Sequence, residues 1–271
     1  MEQELSGITA LITGGSSGMG FEMAKALLKS GAAVAIAARP GDRLDRAYAA
    51  LRELSPRAYA FGADVRDEGS VAELAERFKG TFSRLDLLVN NAGVGNNVTG
   101  DTSAIRFYEL PLEAFRRVMD TNFMGYYLVS RAFVPLMAAQ GHGKIVNVST
   151  SDRTMTMKGM LPYGPSRAAS DAMSRILAQE LAPLGITVNI LCPGGATDTG
   201  MATEEMRAAM GDRMLPPTVL NEAILYLASP RSDGVTGEKI TGRDFRAWLA
   251  SRAGSEGTDA GGAGETPGEG R

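Results

Sequence analysis

The chain alternates short, continuously apolar runs with longer amphipathic segments. The first apolar run covers residues 8–13, a helical pattern follows over 19–29, and a second apolar run covers 33–38. This order predicts strand, helix, strand. The same alternation predicts further strands at 58–65, 85–90, 144–149, 186–191 and 238–241, and further helices at 68–78, 112–140, 165–184 and 219–228.

The apolar runs show little alternation with polar residues, which is typical of strands that are buried on both faces of a parallel sheet. We therefore predict an α/β fold, a Rossmann-like doubly wound parallel sheet with helices on both faces. In such sheets ligands bind beyond the carboxyl ends of the strands. The residues that follow each strand are thus the first candidates for chemistry.

Composition excludes several classes of function. The chain of 271 residues has a formal net charge of -3 and lacks a basic surplus, so we expect no nucleic-acid partner. One histidine, His142, and one cysteine, Cys192, cannot supply a zinc cluster or a disulfide framework. We expect no metal, a turn position for His142 and a small core position for Cys192.

Neither end of the chain predicts membrane attachment. No apolar run reaches the ~18 residues that span a bilayer, and Met1–Gly7 is polar rather than signal-like. We expect a cytoplasmic protein with no membrane contact. Residues 251–271 hold seven of the 33 glycines and no large apolar side chain. This composition predicts a single cofactor-binding domain over 1–250 and a disordered glycine-rich tail over 251–271.

A glycine cluster follows the first predicted strand. Residues 13–20 read Thr-Gly-Gly-Ser-Ser-Gly-Met-Gly and lead directly into a helix. Glycine lets the backbone turn tightly and approach a pyrophosphate, which a helix N-terminus stabilises. A strained turn without a ligand is the alternative. The strand–turn–helix setting favours dinucleotide binding, and the predicted contact residues are Gly14, Ser16, Ser17, Gly18, Met19 and Gly20.

The end of the second predicted strand bears on the choice of cofactor. A carboxylate there favours NAD, whereas a basic residue accommodates the 2′-phosphate of NADP. The sequence has Arg39 at this point and no acid before Asp42. We therefore expect NADP(H), with NAD(H) still possible and a simple surface arginine as the alternative explanation.

Two further strand ends extend the predicted cofactor site. Asp64 and Val65 follow the third strand, and Asn-Asn-Ala-Gly follows the fourth. We expect these residues to flank the adenine and the inner edge of the cofactor, although Asn and Gly also suit an ordinary turn. The residues of the second motif are Asn90, Asn91, Ala92 and Gly93.

Taken in order, these motifs resemble those of the short-chain dehydrogenase/reductase family. The resemblance spans about residues 5–245 and rests on 13–20, 90–93, Asn122, Tyr163 with a basic residue four places on, and Pro193-Gly194. It implies hydride transfer between a nicotinamide cofactor and a carbonyl or alcohol. It also implies a homodimer or homotetramer that packs through the helices 112–140 and 165–184.

The resemblance implies that Tyr163 exchanges the proton of the substrate oxygen. Residues i and i+4 share a helix face, so a cation four residues later stabilises the phenolate. The family has lysine there, which also holds the nicotinamide ribose and relays protons, but this chain has Arg167. Arginine keeps the charge and does not deprotonate. With 22 arginines against six lysines, a general drift toward arginine is an alternative explanation.

Other roles also follow from the resemblance. The hydroxyl that polarises the carbonyl lies thirteen residues before the tyrosine, which selects Thr150, with Ser151 as the next candidate. Asn122 is expected to position a water or the backbone near the basic residue. The loop after the sixth strand is expected to bind the nicotinamide through Pro193, Gly194, Ala196 and Thr199.

Two segments are expected to shape the substrate site, 94–110 and 201–215. The second has methionines at 201, 206, 210 and 214, which form either a core face or the wall of a site for a bulky apolar substrate. Our leading hypothesis is an NADP(H)-dependent, ketoreductase-like oxidoreductase. The alternatives are an NADP-binding protein with weak, altered or no turnover because of Arg167, and a non-redox enzyme, for which the sequence offers no positive evidence.

Overall fold

The computed structural model describes residues 4–95 and 106–256. Within these ranges seven strands alternate with helices. The strands are β1 Thr9–Thr13, β2 Ala33–Ala38, β3 Ala58–Gly62, β4 Leu87–Asn90, β5 Gly143–Val148, β6 Ile186–Cys192 and β7 Lys239–Thr241. The helices are α1 Gly18–Lys29, α2 Asp42–Leu54, α3 Glu68–Thr81, α4 Leu112–Met119, α5 Gly125–Gln140, α6 Asp152–Thr156, α7 Tyr163–Glu180, α8 Glu204–Met210, α9 Asn221–Ala228 and α10 Phe245–Glu256.

All neighbouring strands are parallel, in the order β3-β2-β1-β4-β5-β6-β7. The chain builds outward from β1 through β3 and then returns to place β4 on the other side of β1. The strand order therefore reverses between β1 and β4, where doubly wound sheets bind their ligands. The predicted fold class is confirmed.

Helices cover both faces of the sheet. One apolar layer contains residues of β1, α1, α2, α9 and α10. The other contains residues of β1, α3, α5 and α7. Within β1, Ala10 and Ile12 belong to the first layer and Leu11 to the second. Because successive strand residues point to opposite faces, this arrangement explains why the strand sequences are continuously apolar.

Several predicted boundaries differ from the structure. The strand predicted over 58–65 ends at Gly62, so 63–65 lie beyond it on the carboxyl edge. The helix predicted over 112–140 is interrupted by one π-helical turn at Asp120–Met124. Helix α2, which we did not predict, buries Leu44, Ala47 and Leu51, which have the spacing of one helix face.

The last described helix crosses the predicted domain boundary. Helix α10 runs to Glu256, and the ring centroids of Phe245 and Trp248 lie 5.6 and 5.9 Å from that of Tyr226 on α9. Helix α10 thus extends six residues past the predicted boundary at residue 250, and these aromatic contacts stabilise its start. The rest of the predicted tail, 257–271, lies outside the described residues. Among the described helices, none is both long and apolar enough to cross a bilayer.

Candidate functional site

The glycine loop, residues 14–20, is tied to the end of β4. The amide nitrogens of Asn91 and Ala92 donate to the Thr13 hydroxyl, at 3.0 and 3.2 Å. The Asn91 side-chain amide donates to the carbonyls of Thr13 and Gly14, at 3.0 and 3.1 Å. The side chain of Asn91 therefore holds the loop in place.

The glycines of the loop have little or no room for a side chain. Gly14 has φ +66°, and a Cβ there would lie 2.7 Å from the Cα of Ala92. A Cβ on Gly20 would overlap the Asn91 side chain. Gly18 has φ +56°, and its Cβ would lie 3.3 Å from the Thr199 side chain. The loop thus depends on glycine for both its conformation and its packing.

The N-terminus of α1 is suited to an anion. Its N-cap, Ser17, makes no side-chain cap hydrogen bond, and the first turn has no acidic residue. The positive end of the helix dipole and its free N–H groups therefore face the loop without a competing carboxylate. Ser17 is exposed, and Ser16 and Met19 are partly exposed. The residues present fit a pyrophosphate.

On the adenosine side, Arg39 is exposed directly after β2. Asp64 accepts a 2.6 Å hydrogen bond from Arg66. This bond lowers the pKa of Asp64 against the opposing effect of burial, and the positive charge of Arg39 adds to the lowering. Val65 is buried, and a Cβ on Gly125 at the start of α5 would lie 2.8 Å from it. Arg39, Arg66 and Asp64 thus carry a net positive charge between them, although Asp64 is ionised.

Asn90 is placed differently from its neighbours. Its side chain is fully buried and donates to the Ser130 hydroxyl at 3.0 Å and to the Asn147 side chain at 2.8 Å. Asn147 in turn donates to Ser174 of α7 at 2.8 Å. The Asn90 side chain therefore links β4 to β5 and α5, and only its backbone lies at the carboxyl edge.

Asn122 lies in the π-helical turn between α4 and α5. Its side chain accepts from the amide of Val94 at 2.8 Å and donates to the Val94 carbonyl at 2.9 Å and to Ser166 at 3.0 Å. Its own carbonyl accepts a 2.8 Å hydrogen bond from the Ser170 hydroxyl. Asn122 thus fixes the backbone after β4 and joins it to α7. π-Helical turns are frequent at functional sites.

Tyr163 is the first residue of α7 and is partly exposed. The next residue must be glycine, because a Cβ on Gly164 would overlap the carbonyl oxygen of Met155 in α6. The Ser166 hydroxyl donates to the Tyr163 carbonyl at 2.7 Å. Close packing of α6 on α7 therefore sets where Tyr163 enters the site.

Arg167 lies one turn after Tyr163 and is buried, with 3% of its surface exposed. Its Nη1 donates to the Tyr126 hydroxyl at 2.8 Å and to the Val148 carbonyl at 3.0 Å. Burial by itself would lower the pKa of Arg167, but the phenol oxygens of Tyr126 and Tyr163 more than offset this and raise it. The guanidinium therefore remains a permanent positive charge beside Tyr163.

The hydroxyls after β5 differ in what they already bond. The Ser151 hydroxyl accepts from the amide of Thr154 at 3.2 Å and lies 2.9 Å from the Thr154 hydroxyl, so it caps α6. Ser149 is buried, and among the described residues its hydroxyl has no hydrogen-bond partner. Thr150 lies between them and is partly exposed.

The loop after β6 lies next to the glycine loop. Gly194 has φ +91°, and a Cβ there would lie 2.5 Å from Thr241 of β7. The Ala196 carbonyl accepts from the amide of Leu215 at 2.8 Å. Pro193 is buried and its carbonyl accepts from the amide of Arg243. Thr199 of this loop lies close to Gly18, so the predicted nicotinamide loop lies beside the glycine loop.

The two remaining sequence predictions around the site have different outcomes. Cys192 is buried at the end of β6, and burial raises the pKa of its thiol, as expected of a core residue. The methionine segment does not form a core face. Helix α8 buries none of its residues, and Met206 is 37% exposed. Of the other substrate segment, residues 96–105 lie outside the described residues.

A charged cluster lies behind Arg167. Asp171, one turn further along α7, is 3% exposed and bonds Lys239 of β7 at 2.7 Å. Lys239 also bonds the exposed Asp152 at the start of α6. Burial would lower the pKa of Lys239, but the hydrogen bonds to the two carboxylates raise it. The cluster joins β7 to both helices that position Tyr163.

Comparison with known proteins identifies the family. A family model described as short chain dehydrogenase matches residues 8–209, which is more than half of the chain. The protein belongs to the short-chain dehydrogenase/reductase family. The resemblance inferred from the motifs is thereby confirmed, and the chain is an oxidoreductase of a nicotinamide-dependent fold.

Relatives of this short-chain dehydrogenase/reductase are dehydrogenases and reductases. A 3alpha-hydroxysteroid dehydrogenase of Mediterraneibacter gnavus is 29% identical over 247 residues, covering 86% of this chain and 94% of the relative. A peroxisomal 2,4-dienoyl-CoA reductase of Danio rerio is 33% identical over 258 residues, covering 91% and 83%. The crystal structure of a 3-ketoacyl-(acyl-carrier-protein) reductase from Brucella melitensis, complexed with NADH, has a TM-score of 0.75 and 31% identity, covering 88% and 97%.

Sequence reasoning missed two residues beside Tyr163 and Arg167 of this short-chain dehydrogenase/reductase. Gly164 permits the contact between α6 and α7, and Tyr126 bonds Arg167. A signal for Tyr126 was present, because it lies four residues after Asn122, on the face of the predicted helix that the asparagine occupies. Nothing in the sequence marks the close approach of Met155 to Gly164.

Proposed function

We propose that this short-chain dehydrogenase/reductase is an NADP(H)-dependent carbonyl reductase or alcohol dehydrogenase. The observation that supports it most is the grouping of Tyr163 with a buried, permanently charged Arg167 at the carboxyl edge that also bears the glycine loop. When bound, the nicotinamide would supply or accept the hydride. The residues of this chain would handle the proton and the substrate oxygen.

The proposed steps divide between three side chains. Tyr163 donates its phenol proton to the oxygen of the ketone as the carbonyl carbon is reduced, and takes that proton back in alcohol oxidation. Thr150 donates a hydrogen bond to the same oxygen and polarises the C=O bond. Arg167 stabilises the phenolate that forms when Tyr163 gives up its proton. One of its guanidinium nitrogens would hold the nicotinamide ribose.

The choice of Thr150 over Ser151 is supported by what each hydroxyl already bonds. Ser151 caps α6 through the amide and hydroxyl of Thr154. A hydroxyl used as a helix cap is less available to a substrate oxygen. Thr150 is partly exposed and lies two residues after the end of β5.

The proposed cofactor site combines backbone with a few side chains. The pyrophosphate would bind the glycine loop and the start of α1, the adenosine would lie near Asp64 and Val65, and the nicotinamide near the loop after β6. Asn122 would hold the backbone after β4. The remaining proposed contacts are Gly14, Ser16, Ser17, Gly18, Met19, Gly20, Asn90, Asn91, Ala92, Gly93, Pro193, Gly194, Ala196 and Thr199.

The preference for NADP(H) depends on Arg39. It is exposed at the end of β2, where its guanidinium can pair with a 2′-phosphate. We expect the protein to bind NADPH more tightly than NADH in fluorescence titrations. In Arg39→Ala the NADPH affinity should fall roughly tenfold, as for the loss of a charge-assisted hydrogen bond, while NADH affinity stays unchanged. The matched control is Arg43→Ala, an exposed arginine of α2, which should keep the preference.

The substrate is proposed to be bulky and apolar. Support comes from the partly exposed methionines 201, 206, 210 and 214 and from the steroid in the name of one relative. Turnover should be measured with NADPH over a panel of ketones that runs from short linear chains to polycyclic ones. Activity that rises with ring size supports the proposal, and activity confined to the shortest ketones contradicts it.

The first experiment measures whether the protein binds NADPH and whether it oxidises NADPH in the presence of a ketone. Binding with turnover that Tyr163→Phe abolishes supports a working reductase. Binding without turnover across the ketone panel, together with activity gained in Arg167→Lys, supports instead the alternative of a cofactor-binding protein with little redox activity. Absence of NADPH binding by calorimetry contradicts both.

The assembly is proposed to be a homodimer or homotetramer packed through α4, α5 and α7. Large apolar side chains on these helices are exposed: Leu112 at 60%, Tyr127 at 44% and Ile176 at 53%. Such exposure on helix faces favours a protein contact. Light scattering on the purified protein should give a mass of two or four chains, and a monomer at all concentrations contradicts the proposal.

A further inference from the structure

We infer that Tyr126 is a positioning residue, which fixes the guanidinium of Arg167 against Tyr163 and selects the arginine nitrogen that faces the cofactor. This inference rests on the proposed function. Tyr126 lies in the first turn of α5 and is 1% exposed, so it touches no substrate. It would act on the reaction through Arg167.

The Tyr126 hydroxyl, Nη1 of Arg167 and the Val148 carbonyl form a closed triangle of hydrogen bonds. The Tyr126 hydroxyl accepts from Nη1 of Arg167 at 2.8 Å and donates to the Val148 carbonyl at 2.9 Å. The same Nη1 donates to that carbonyl at 3.0 Å. Since a phenol can donate and accept at once, the hydroxyl fixes the guanidinium from one side and the end of β5 fixes it from the other.

The guanidinium also lies between two aromatic rings. Its Cζ is 5.4 Å from the ring centroid of Tyr126 and 5.3 Å from that of Tyr163. Both distances are within the range of a cation–π interaction, which is stronger when the cation is desolvated. Tyr126 therefore restrains Arg167 through its ring as well as through its hydroxyl.

Gly93, three residues after β4, supplies the space for the other terminal nitrogen of Arg167. A Cβ on Gly93 would overlap Nη2 of Arg167. With Nη1 bonded to Tyr126 and Val148, Nη2 is the terminal nitrogen that remains at the carboxyl edge. The nitrogen Nε is buried and has no hydrogen-bond partner among the described residues. Tyr126 thus decides which donor a ribose hydroxyl would meet.

The charge state of this pair is fixed. Burial raises the pKa of Tyr126, although the charge of Arg167 acts in the opposite direction, so the hydroxyl stays protonated and continues to donate to Val148. The other charged side chain close behind is Asp171, which bonds Lys239. Because neither Tyr126 nor Arg167 loses its proton near neutral pH, their contribution is one of position.

The test is a double-mutant cycle of Tyr126→Phe and Arg167→Lys. The dissociation constant of NADPH is measured by fluorescence in the four proteins, and kcat and KM with the ketone that gives the highest turnover. Tyr126→Phe should weaken NADPH binding and lower kcat, each by roughly tenfold, with KM for the ketone unchanged. In the Arg167→Lys protein the same change should have an effect under about twofold, because an ammonium has no second terminal nitrogen to bond Tyr126.

Two further variants keep the test independent of folding defects. Tyr127→Phe changes the adjacent tyrosine, which is 44% exposed, and should leave NADPH binding and kcat unchanged. Gly93→Ala displaces the guanidinium from the opposite side and should weaken NADPH binding as Tyr126→Phe does. Unfolding midpoints of all variants show which of them remain folded.

The outcomes separate this inference from the proposed function. If the unsubstituted protein fails to bind NADPH, both fall. If it binds NADPH and Tyr126→Phe has equal effects in the arginine and lysine proteins, or no effect, only the role of Tyr126 is wrong. A loss in Tyr127→Phe as large as that in Tyr126→Phe also overturns the inference.

Discussion

The glycine loop after β1 and the first turn of α7 lie on the same carboxyl edge of the sheet but expose different chemistry. The loop exposes backbone, shaped by Gly14, Gly18 and Gly20 and held by Asn91. The turn of α7 exposes Tyr163 beside the buried charge of Arg167. One region is defined by conformation, the other by side-chain charge and hydrogen bonding.

The two regions also differ in how they match the family motifs. At the loop the glycines of the motif are present, and a Cβ on Gly14 or Gly20 would overlap neighbouring atoms. At α7 the expected lysine is replaced by arginine, and the extra length is accommodated by Tyr126, Val148 and Gly93. A permanent cation survives the change, whereas a group that can relay a proton does not. Substitutions at the loop should therefore affect cofactor binding, and substitution of Tyr163 should affect turnover.

The largest effect is expected at the α7 region. Tyr163→Phe removes the proposed acid/base and should lower kcat by roughly 10²–10⁴-fold, with the dissociation constant of NADPH within about twofold of the original. Steady-state kinetics and fluorescence titration measure the two quantities. An equal loss in NADPH affinity would mean that the two regions are not functionally distinct.

The next effect distinguishes two hydroxyls that are adjacent in sequence. Thr150→Ala should lower kcat by roughly 10²–10³-fold, as for the loss of one donor to a developing oxyanion, with little change in stability. Ser151→Ala should destabilise the fold by about 1 kcal/mol because α6 loses its cap, with kcat nearly unchanged. Kinetics and chemical denaturation of both variants check this, and the reverse pattern would assign the substrate hydroxyl to Ser151.

A smaller effect, on NADPH binding, is expected at the glycine loop. Gly14→Ala places a Cβ against Ala92 at φ +66° and should cost about 1–3 kcal/mol of stability and weaken NADPH binding. The matched control is Gly80→Ala in α3, where a Cβ meets nothing within 4 Å and should stabilise the helix by ~0.5–1 kcal/mol. Denaturation of both variants should show opposite signs. A Gly14→Ala protein with full NADPH affinity would contradict the role of the loop.

The smallest effect is a pH dependence at the adenosine side. Because Arg66 lowers the pKa of Asp64, this group stabilises the fold above the unfolded pKa of ~3.9, and the contribution is lost as the pH falls through the lower, folded value. Asp64→Asn should reduce the free energy of unfolding by under about 1 kcal/mol near neutral pH, and the difference should vanish in strong acid. Urea denaturation at several pH values measures it, with the exposed Asp212→Asn as control.

The sheet and its order of elements were accessible from the sequence because both faces of each strand are buried. Leu11 packs on one layer and Ile12 on the other, so the strands appear as unbroken apolar runs. Helix α2 was missed, although its buried residues Leu44, Ala47 and Leu51 have the spacing of one helix face. Helix α10 continues past the predicted boundary at residue 250, and the contact of Trp248 with Tyr226 on α9 is one that no local pattern predicts.

At the site, residue types were predictable and their partners were not. The motifs selected Tyr163, Arg167 and the glycines, all of which the structure groups on one edge. Asn90 and Asn91 are predicted to flank the cofactor, and the bonds of their side chains to Ser130 and to the backbone of Thr13 could not be predicted. Such pairings join residues far apart in the chain, and their geometry depends on how the strands are placed.

The sequence by itself determined the parallel sheet, the loop that only glycine can form and the presence of a cation four residues after a tyrosine, because these follow from local periodicity and spacing. Tertiary structure decided what that cation does. Arg167 is buried between α5, the end of β5 and the loop after β4, and its contacts with two phenols, which offset the effect of burial, keep it charged. Desolvation and hydrogen-bond geometry arise only when those elements pack together.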